Sequence, residues 1–251
     1  MLLFGLLAAG VAGLGYYLFM SPGSQAFGDF PYRVRTSEKV FALTFDDGPN
    51  PPYTAQILEK LDRHAVPATF FVVGRNLERS PEAAAAILAA GHTIGNHAYS
   101  HAFRRYFAQP AFRNEIEQGQ AAIERLTGRR PALFRPPWLF RHPTLLASAK
   151  RAGLTTVSGV FLSEIEVFQP QARRIARRAV QKVRPGTIGI FHDGCGSQGG
   201  NRSETVAALD LIIPELKARG YRFVTVDQLL CVSPYQPRGS ETRSPPGPAA
   251  G

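Results

Sequence analysis

The chain is poor in cysteine, with only Cys195 and Cys231 among 251 residues. Two thiols pair only if the fold brings them together, so cysteine does not settle the compartment. No GxGxxG follows a strand-like run and no GxxxxGK[ST] occurs, which removes dinucleotide and P-loop chemistry. No internal repeat is visible. Acidic residues are the scarcer sign, 19 Asp plus Glu against 29 Lys plus Arg, for a net charge of +10. Much of the excess is arginine, as in Arg173, Arg174, Arg177 and Arg178. These alternate with Ile175, Ala176, Ala179 and Val180 and form the wet face of an amphipathic helix. No aromatic–basic interleaving accompanies them, so nucleic acid is not expected as a partner. The charge favours an anionic neighbourhood such as phospholipid or an acidic cell-wall polymer.

What is present is ordinary globular composition: 44% hydrophobic, 10% aromatic and 19% charged, enough for one sizeable core. Residues 1–20 are uncharged and apolar, a length suited to one membrane crossing of ~20 residues. No Lys or Arg precedes them, which favours an uncleaved transmembrane anchor over a cleaved signal. Residues 21–38 read as a linker, 39–231 as one α/β domain, and 232–251 as a disordered tail rich in Pro, Gly and Ser. Arg33, Arg35 and Lys39 would draw their side of the anchor towards the cytoplasm. Within the domain, strand-like runs at Val40–Phe45, Ala68–Val73, His92–Asn96, Ala132–Arg135, Thr155–Val160, Thr187–His192 and Tyr221–Val226 alternate with helical patterns. That alternation predicts about seven parallel strands, doubly wound or closed into a barrel.

Polar clusters stand at the ends of these runs, where such folds place their chemistry. Thr44-Phe45-Asp46-Asp47-Gly48-Pro49 puts two carboxylates side by side before a turn. Adjacent aspartates at a buried strand end are costly unless a cation is near or one is protonated. His97 and His101, if they share a helical turn, point the same way and can hold one metal, with Asp46 or Asp47 as third ligand. Two histidines and one carboxylate leave an open position, the pattern of catalytic zinc, and neither cysteine is needed. In Phe134-Arg135-Pro136-Pro137-Trp138, Arg135 is placed to keep an aspartate ionised. The prolines carry no N–H, so Trp138 offers the first free backbone donor after the arginine. His192, delivered by the apolar run Ile188–Phe191, is a candidate general acid. His64 and His142 read as surface residues, His92 as a structural hydrogen-bonder.

Taken in order, TFDDGP, HxxxH, RPPW and the strand-borne His192-Asp193 resemble the polysaccharide deacetylase family, the NodB-homology or carbohydrate esterase family 4 domain, over residues 39–230. The resemblance implies a distorted (β/α) barrel and one divalent metal, zinc or alternatively cobalt, held by Asp47, His97 and His101. It implies Asp46 as catalytic base, Arg135 holding that base and His192 as catalytic acid. It further implies Ile190 lining the acetyl pocket and Trp138 donating its N–H to the oxyanion. The expected reaction is removal of N-acetyl groups from an amino-sugar glycan, with an O-acetyl esterase or a glycan-binding pseudoenzyme as alternatives. An acetylated glycan substrate places the anchored domain towards the periplasm or cell exterior. Two positions depart from the family pattern. Ala98 replaces the usual Ser or Thr after the first histidine. The family's acid-tuning Asp after the fifth strand is absent, leaving Glu164 or Glu166 as substitute, with Glu164 favoured by position.

Overall fold

The structure, a computed structural model, describes residues 1–196 and 200–237. In chain order the elements are α1 (Leu2–Met20), β1 (Val40–Asp46), α2 (Tyr53–Arg63), β2 (Thr69–Val72), α3 (Gly74–Arg79), α4 (Pro81–Ala89), β3 (Thr93–Asn96) and α5 (Gln109–Thr127). There follow β4 (Leu133–Phe134), α6 (Pro143–Arg151), β5 (Thr155–Thr156), β6 (Val160–Phe161), α7 (Ala172–Lys182), β7 (Thr187–His192), α8 (Ser203–Ala218), β8 (Arg222–Val224) and α9 (Val226–Leu230).

All strand pairs named here are parallel. Seven strands run in the order β5-β4-β3-β2-β1-β7-β6, and β8 pairs the first residues of β1. The central strand β1 is buried along its whole length, as expected of a parallel strand covered on both faces. The two ends of the path, β5 and β6, are consecutive in sequence and separated by residues 157–159 alone. The four Cα–Cα steps from Thr156 to Val160 span at most about 14 Å, so the sheet must curl until its edges approach each other. It is a barrel whose seam is bridged by chain rather than by strand pairing. The run Thr155–Val160, expected as one strand, therefore splits and feeds both edges. Gly159, within the split, lets the chain pass close to β7: a Cβ there would sit 2.6 Å from the Ile190 side chain.

Apolar side chains explain the layers. Phe41, Phe45, Phe70 and Phe191 from the sheet meet Ile57, Leu61, Ile175, Leu209 and Ile213 from α2, α7 and α8 in the largest core cluster. Helix α7 buries Ile175, Ala176, Ala179 and Val180, which leaves its arginines on the outer face, as their spacing predicts.

Three boundary expectations change. Among the described residues no helix is long and apolar enough to cross a membrane, which overturns the expected N-terminal transmembrane segment. Helix α1 spans 19 residues, Leu2–Met20. Its end is also taken up by the domain, since Phe19 packs on Phe27 and Phe140 with ring centroids 5.2 and 6.2 Å apart. Residues 21–38, expected as a linker, pack on the domain: Phe30 is fully buried, and Val34 donates its N–H to the Gly186 carbonyl. Of the expected tail, the start is tied down, Ala132 donating to the Pro234 carbonyl and Gln236 to that of Arg130. Residues 238–251 lie outside the described residues. Cys195 and Cys231 are both exposed and unpaired.

Candidate active site

Strand register gathers the polar clusters at one end of the barrel. Asp46 at the end of β1 stands level with His192 at the end of β7. Asn96 at the end of β3 stands level with Phe134 of β4, so His97 and Arg135 leave the sheet side by side.

Asp47, His97 and His101 converge. Asp47 Oδ1 lies 3.3 Å from Nε2 of His97 and 3.0 Å from Nε2 of His101. His97 Nδ1 donates to the Arg135 carbonyl at 2.7 Å. A carbonyl only accepts, so this bond leaves the Nε2 lone pair of His97 for a cation. One ligand atom from each of the three residues fits within 4.8 Å of the others, and a carboxylate with two imidazoles is a donor set suited to a zinc-type ion. Burial pushes the Asp47 carboxyl up, but the two imidazoles that face it, His101 and His97, outweigh this and hold the group well below the usual carboxylate range.

The helical turn expected to align the two histidines is absent. Residues 97–101 form a loop in which Ala98 (φ 66°) and His101 (φ 54°) are left-handed, as is Asp47 (φ 77°). Such backbone costs about 1–3 kcal/mol per residue unless its surroundings hold it. Asn96 Oδ1 accepts from the Ala98 N–H at 2.7 Å, and buried Glu115 accepts from the Ser100 N–H and hydroxyl at 2.7 and 2.8 Å. These contacts hold the loop although Ala98 has no hydroxyl.

Asp46 is held from the other side. Arg135, fully buried, donates from Nη1 to Asp46 Oδ1 at 2.7 Å and to Thr44 Oγ1 at 2.6 Å, and from Nη2 to the Ser158 carbonyl at 2.9 Å. Its guanidinium lies over the Phe71 ring at 4.1 Å. Burial lowers the Arg135 pKa and the Asp46 charge opposes that.

Glu166 stands beside His192, and Glu164, the carboxylate expected there, does not. The Nδ1 of His192 is 2.9 Å from Glu166 Oε2, and Glu166 Oε1 accepts from the Thr205 hydroxyl. Glu164 turns outward to Arg178 and Lys182 on α7. Burial pulls the His192 pKa down, but the carboxylates of Glu166, Asp47 and Asp46 raise it overall to about 9. Glu166 is itself buried, which pushes it up; His192, the Thr205 hydroxyl and Arg202 together bring it below its ordinary value.

Asp193 ties the two strand ends together, a role that only its position after His192 hinted at. It accepts from the Gly48 N–H at 3.0 Å and the Thr54 hydroxyl at 2.6 Å. Burial pushes its carboxyl up to about 7 despite those donors. Thr205 and Arg202 carried no signal in the sequence, since they come from the start of α8 and its approach.

These groups open into a cleft of about 810 Å³, walled by Trp138, Leu139, Phe161 and Val167 together with Arg75 and Arg202. Trp138 and Leu139 are both left-handed, at φ 57° and 55°. The N–H groups of Leu139 and Phe140 turn back onto the Pro136 and Pro137 carbonyls, which leaves that of Trp138 without a partner among the described residues. The Trp138 ring packs on His101, centroids 4.2 Å apart. Ile190 is buried beneath the wall, clustered with Phe30, Leu139 and Phe161.

The chain is similar in sequence and fold to known proteins. The family model described as polysaccharide deacetylase matches residues 33–157. A peptidoglycan-N-acetylglucosamine deacetylase of Bacillus cereus is 38% identical over 200 residues, 79% of this chain and 92% of the relative. A crystal structure of a peptidoglycan N-acetylglucosamine deacetylase superposes with a TM-score of 0.75 at 33% identity, covering 82% of this chain and 93% of the other. A family 4 acetyl xylan esterase from Clostridium thermocellum, in complex with a cobalt ion, superposes with a TM-score of 0.68 at 36% identity, covering 77% and 91%. With the fold, the motifs and the relatives in agreement, the chain belongs to the polysaccharide deacetylase family, the NodB-homology or carbohydrate esterase family 4 enzymes.

Proposed function

We propose that this polysaccharide deacetylase hydrolyses N-acetyl groups of an amino-sugar polymer, with the N-acetylglucosamine of peptidoglycan as first candidate. The observation that carries this reading is the Glu166–His192 hydrogen bond. An amide releases its amine only when the nitrogen is protonated, whereas an alkoxide leaves an ester with less help. A histidine raised to about 9 by a buried carboxylate is protonated at neutral pH and serves the harder reaction.

Asp47, His97 and His101 would hold a divalent ion, zinc or cobalt, and the donor set above suits either. When bound, the ion supplies Lewis-acid chemistry to the acetyl group and the attacking water. Asp46 takes the proton of the water, oriented by Arg135 so that one carboxylate oxygen is committed to the guanidinium. Trp138 donates its free N–H to the charge that develops on the acetyl oxygen. His192 then gives its proton to the departing amine, and Glu166 keeps the resulting imidazole in place. Leu139 and Phe161, backed by Ile190, form the apolar wall against which an acetyl methyl fits.

Similarity to an acetyl xylan esterase keeps O-acetyl chemistry as the alternative. Acetate release from peptidoglycan, chitin oligomers and acetyl xylan, with metal-stripped protein and after adding zinc or cobalt, separates the two. Metal-dependent release from the N-acetylated polymers is expected; release from acetyl xylan alone would overturn the reading. A pseudoenzyme would release acetate from none. Such polymers lie outside the cytoplasm, and we place the domain there: protease added to intact cells should remove it, and full protection until lysis refutes that placement.

A further inference from the structure

We propose that the last turns of α1 form a sugar-binding subsite at the mouth of the cleft, with Tyr16 as a stacking platform for a pyranose ring next to the reacting one. The inference rests on the glycan-deacetylase reading of the same cleft.

Tyr16 lines the cleft that also holds Asp46, His192 and Trp138, although it lies on α1, 24 positions before the first strand of the barrel. It is 56% exposed, so burial in a core does not account for its position. The placement is secured by a buried residue, Arg141, which is 1% exposed. Its backbone N–H donates to the Phe19 carbonyl at 2.9 Å, and its guanidinium donates to the carbonyls of Ser21 and, at 3.1 Å, Ser24. The same guanidinium donates from Nη1 to the Leu139 carbonyl at 2.9 Å. One arginine thus joins the exit of α1 to the loop that carries Trp138, and the two aromatic residues are set relative to each other.

The surroundings suit a carbohydrate. Phe103 and Phe107 stack edge to face at 5.0 Å and remain 38% and 65% exposed, and Phe103 meets the Trp138 ring at 4.9 Å. An exposed aromatic strip of this kind marks a binding surface. The apolar face of a pyranose covers an aromatic ring while its hydroxyls stay in water, and a Tyr or Trp platform gives contact area with few rotamers to freeze. A ligand that fills only the reacting position gains nothing from Tyr16, whereas a longer chain does.

The test compares Tyr16→Ala, Tyr16→Trp and the unchanged protein on chitin-type oligomers of increasing length and on a small aryl acetate. Binding of the oligomers is measured in parallel by calorimetry, which needs no turnover. For Tyr16→Ala, the ratio of kcat/KM on long oligomers to that on the aryl acetate should fall about three- to tenfold, through KM. Tyr16→Trp should restore it. An unchanged ratio and unchanged calorimetric affinity in Tyr16→Ala overturn the subsite. If no acetate is released from any oligomer but affinity still drops in Tyr16→Ala, the subsite stands and the deacetylase reading is what fails.

Discussion

Each side chain given a role in the proposed reaction is set by the group behind it. His192 can donate a proton only while protonated, so activity should fall as pH rises through its pKa, about 9 with Glu166, Asp47 and Asp46 in place. Glu166→Gln removes the nearest negative charge while burial remains, so the pKa drops and the alkaline limb of the pH–rate profile should move down by about one to two pH units. Glu164→Gln should leave that limb where it is, because Glu164 faces Lys182 and Arg178. A profile that shifts with Glu164 and not with Glu166 would refute the pairing. The two aspartates should separate just as cleanly. Asp46→Asn is expected to bind zinc normally and lose turnover by several orders of magnitude, while His97→Ala should lose the metal itself, as equilibrium dialysis would reveal. Asp46, Asp47, His97, His101, Arg135 and His192 were legible because each ends a recognisable apolar run or sits in a short motif. The choice between Glu164 and Glu166 was not. It depends on a tight turn at Glu166–Phe168 closed by left-handed Gln169, which no periodicity announces.

At the scale of elements, the site depends on how closely the ends of β1 and β7 approach. A Cβ on Gly48 would lie 1.9 Å from Asp193 Oδ2, and one on Gly194 would lie 2.5 Å from the Asp47 carbonyl oxygen. Both glycines are therefore required by contact rather than by an unusual φ. Gly48→Ala must push Asp193 away, breaking its hold on the Gly48 N–H and on Thr54, and tilting Asp47 off its two histidines. The expected outcome is a metal affinity lowered at least tenfold together with a drop in Tm of several degrees, of the order produced by 1–3 kcal/mol of overpacking, roughly 2–10 °C. Normal zinc binding in that variant would show that the turn is more tolerant than the packing implies. In the sequence, Gly48 read only as part of a turn. The partner that crowds Gly48 was invisible, because Asp193 is 145 residues from Gly48 along the chain. The same limit explains the histidine loop: spacing suggested a helical turn, whereas Asn96 and Glu115 stabilise left-handed backbone instead.

For the whole molecule, alternating apolar runs were enough to foresee a parallel α/β sheet, since burial on both faces writes itself into continuous hydrophobic strands, but the choice of a barrel over a doubly wound sheet came from the family resemblance. The fate of the N-terminal helix was not foreseeable from apolarity alone, because its end is claimed by Phe27, Phe140 and Arg141. The seam of the barrel carries the remaining argument. No strand pairing joins β5 to β6, and Arg135 reaches across from β4 to the Ser158 carbonyl in that gap while holding Asp46 on β1. Arg135→Met should destabilise the protein by about 3–5 kcal/mol in urea denaturation, mainly because Asp46 is left as an unpaired buried charge. Adding Asp46→Asn removes that charge, and the double variant should recover most of the lost stability, since a buried ion pair contributes little net free energy over a neutral replacement. It should remain inactive, because the proposed base is gone. Recovery of stability without activity would mean that the pair is kept for its chemistry. A double variant as unstable as Arg135→Met alone would mean that the Ser158 contact across the seam, and not the ion pair, is what Arg135 supplies to the fold.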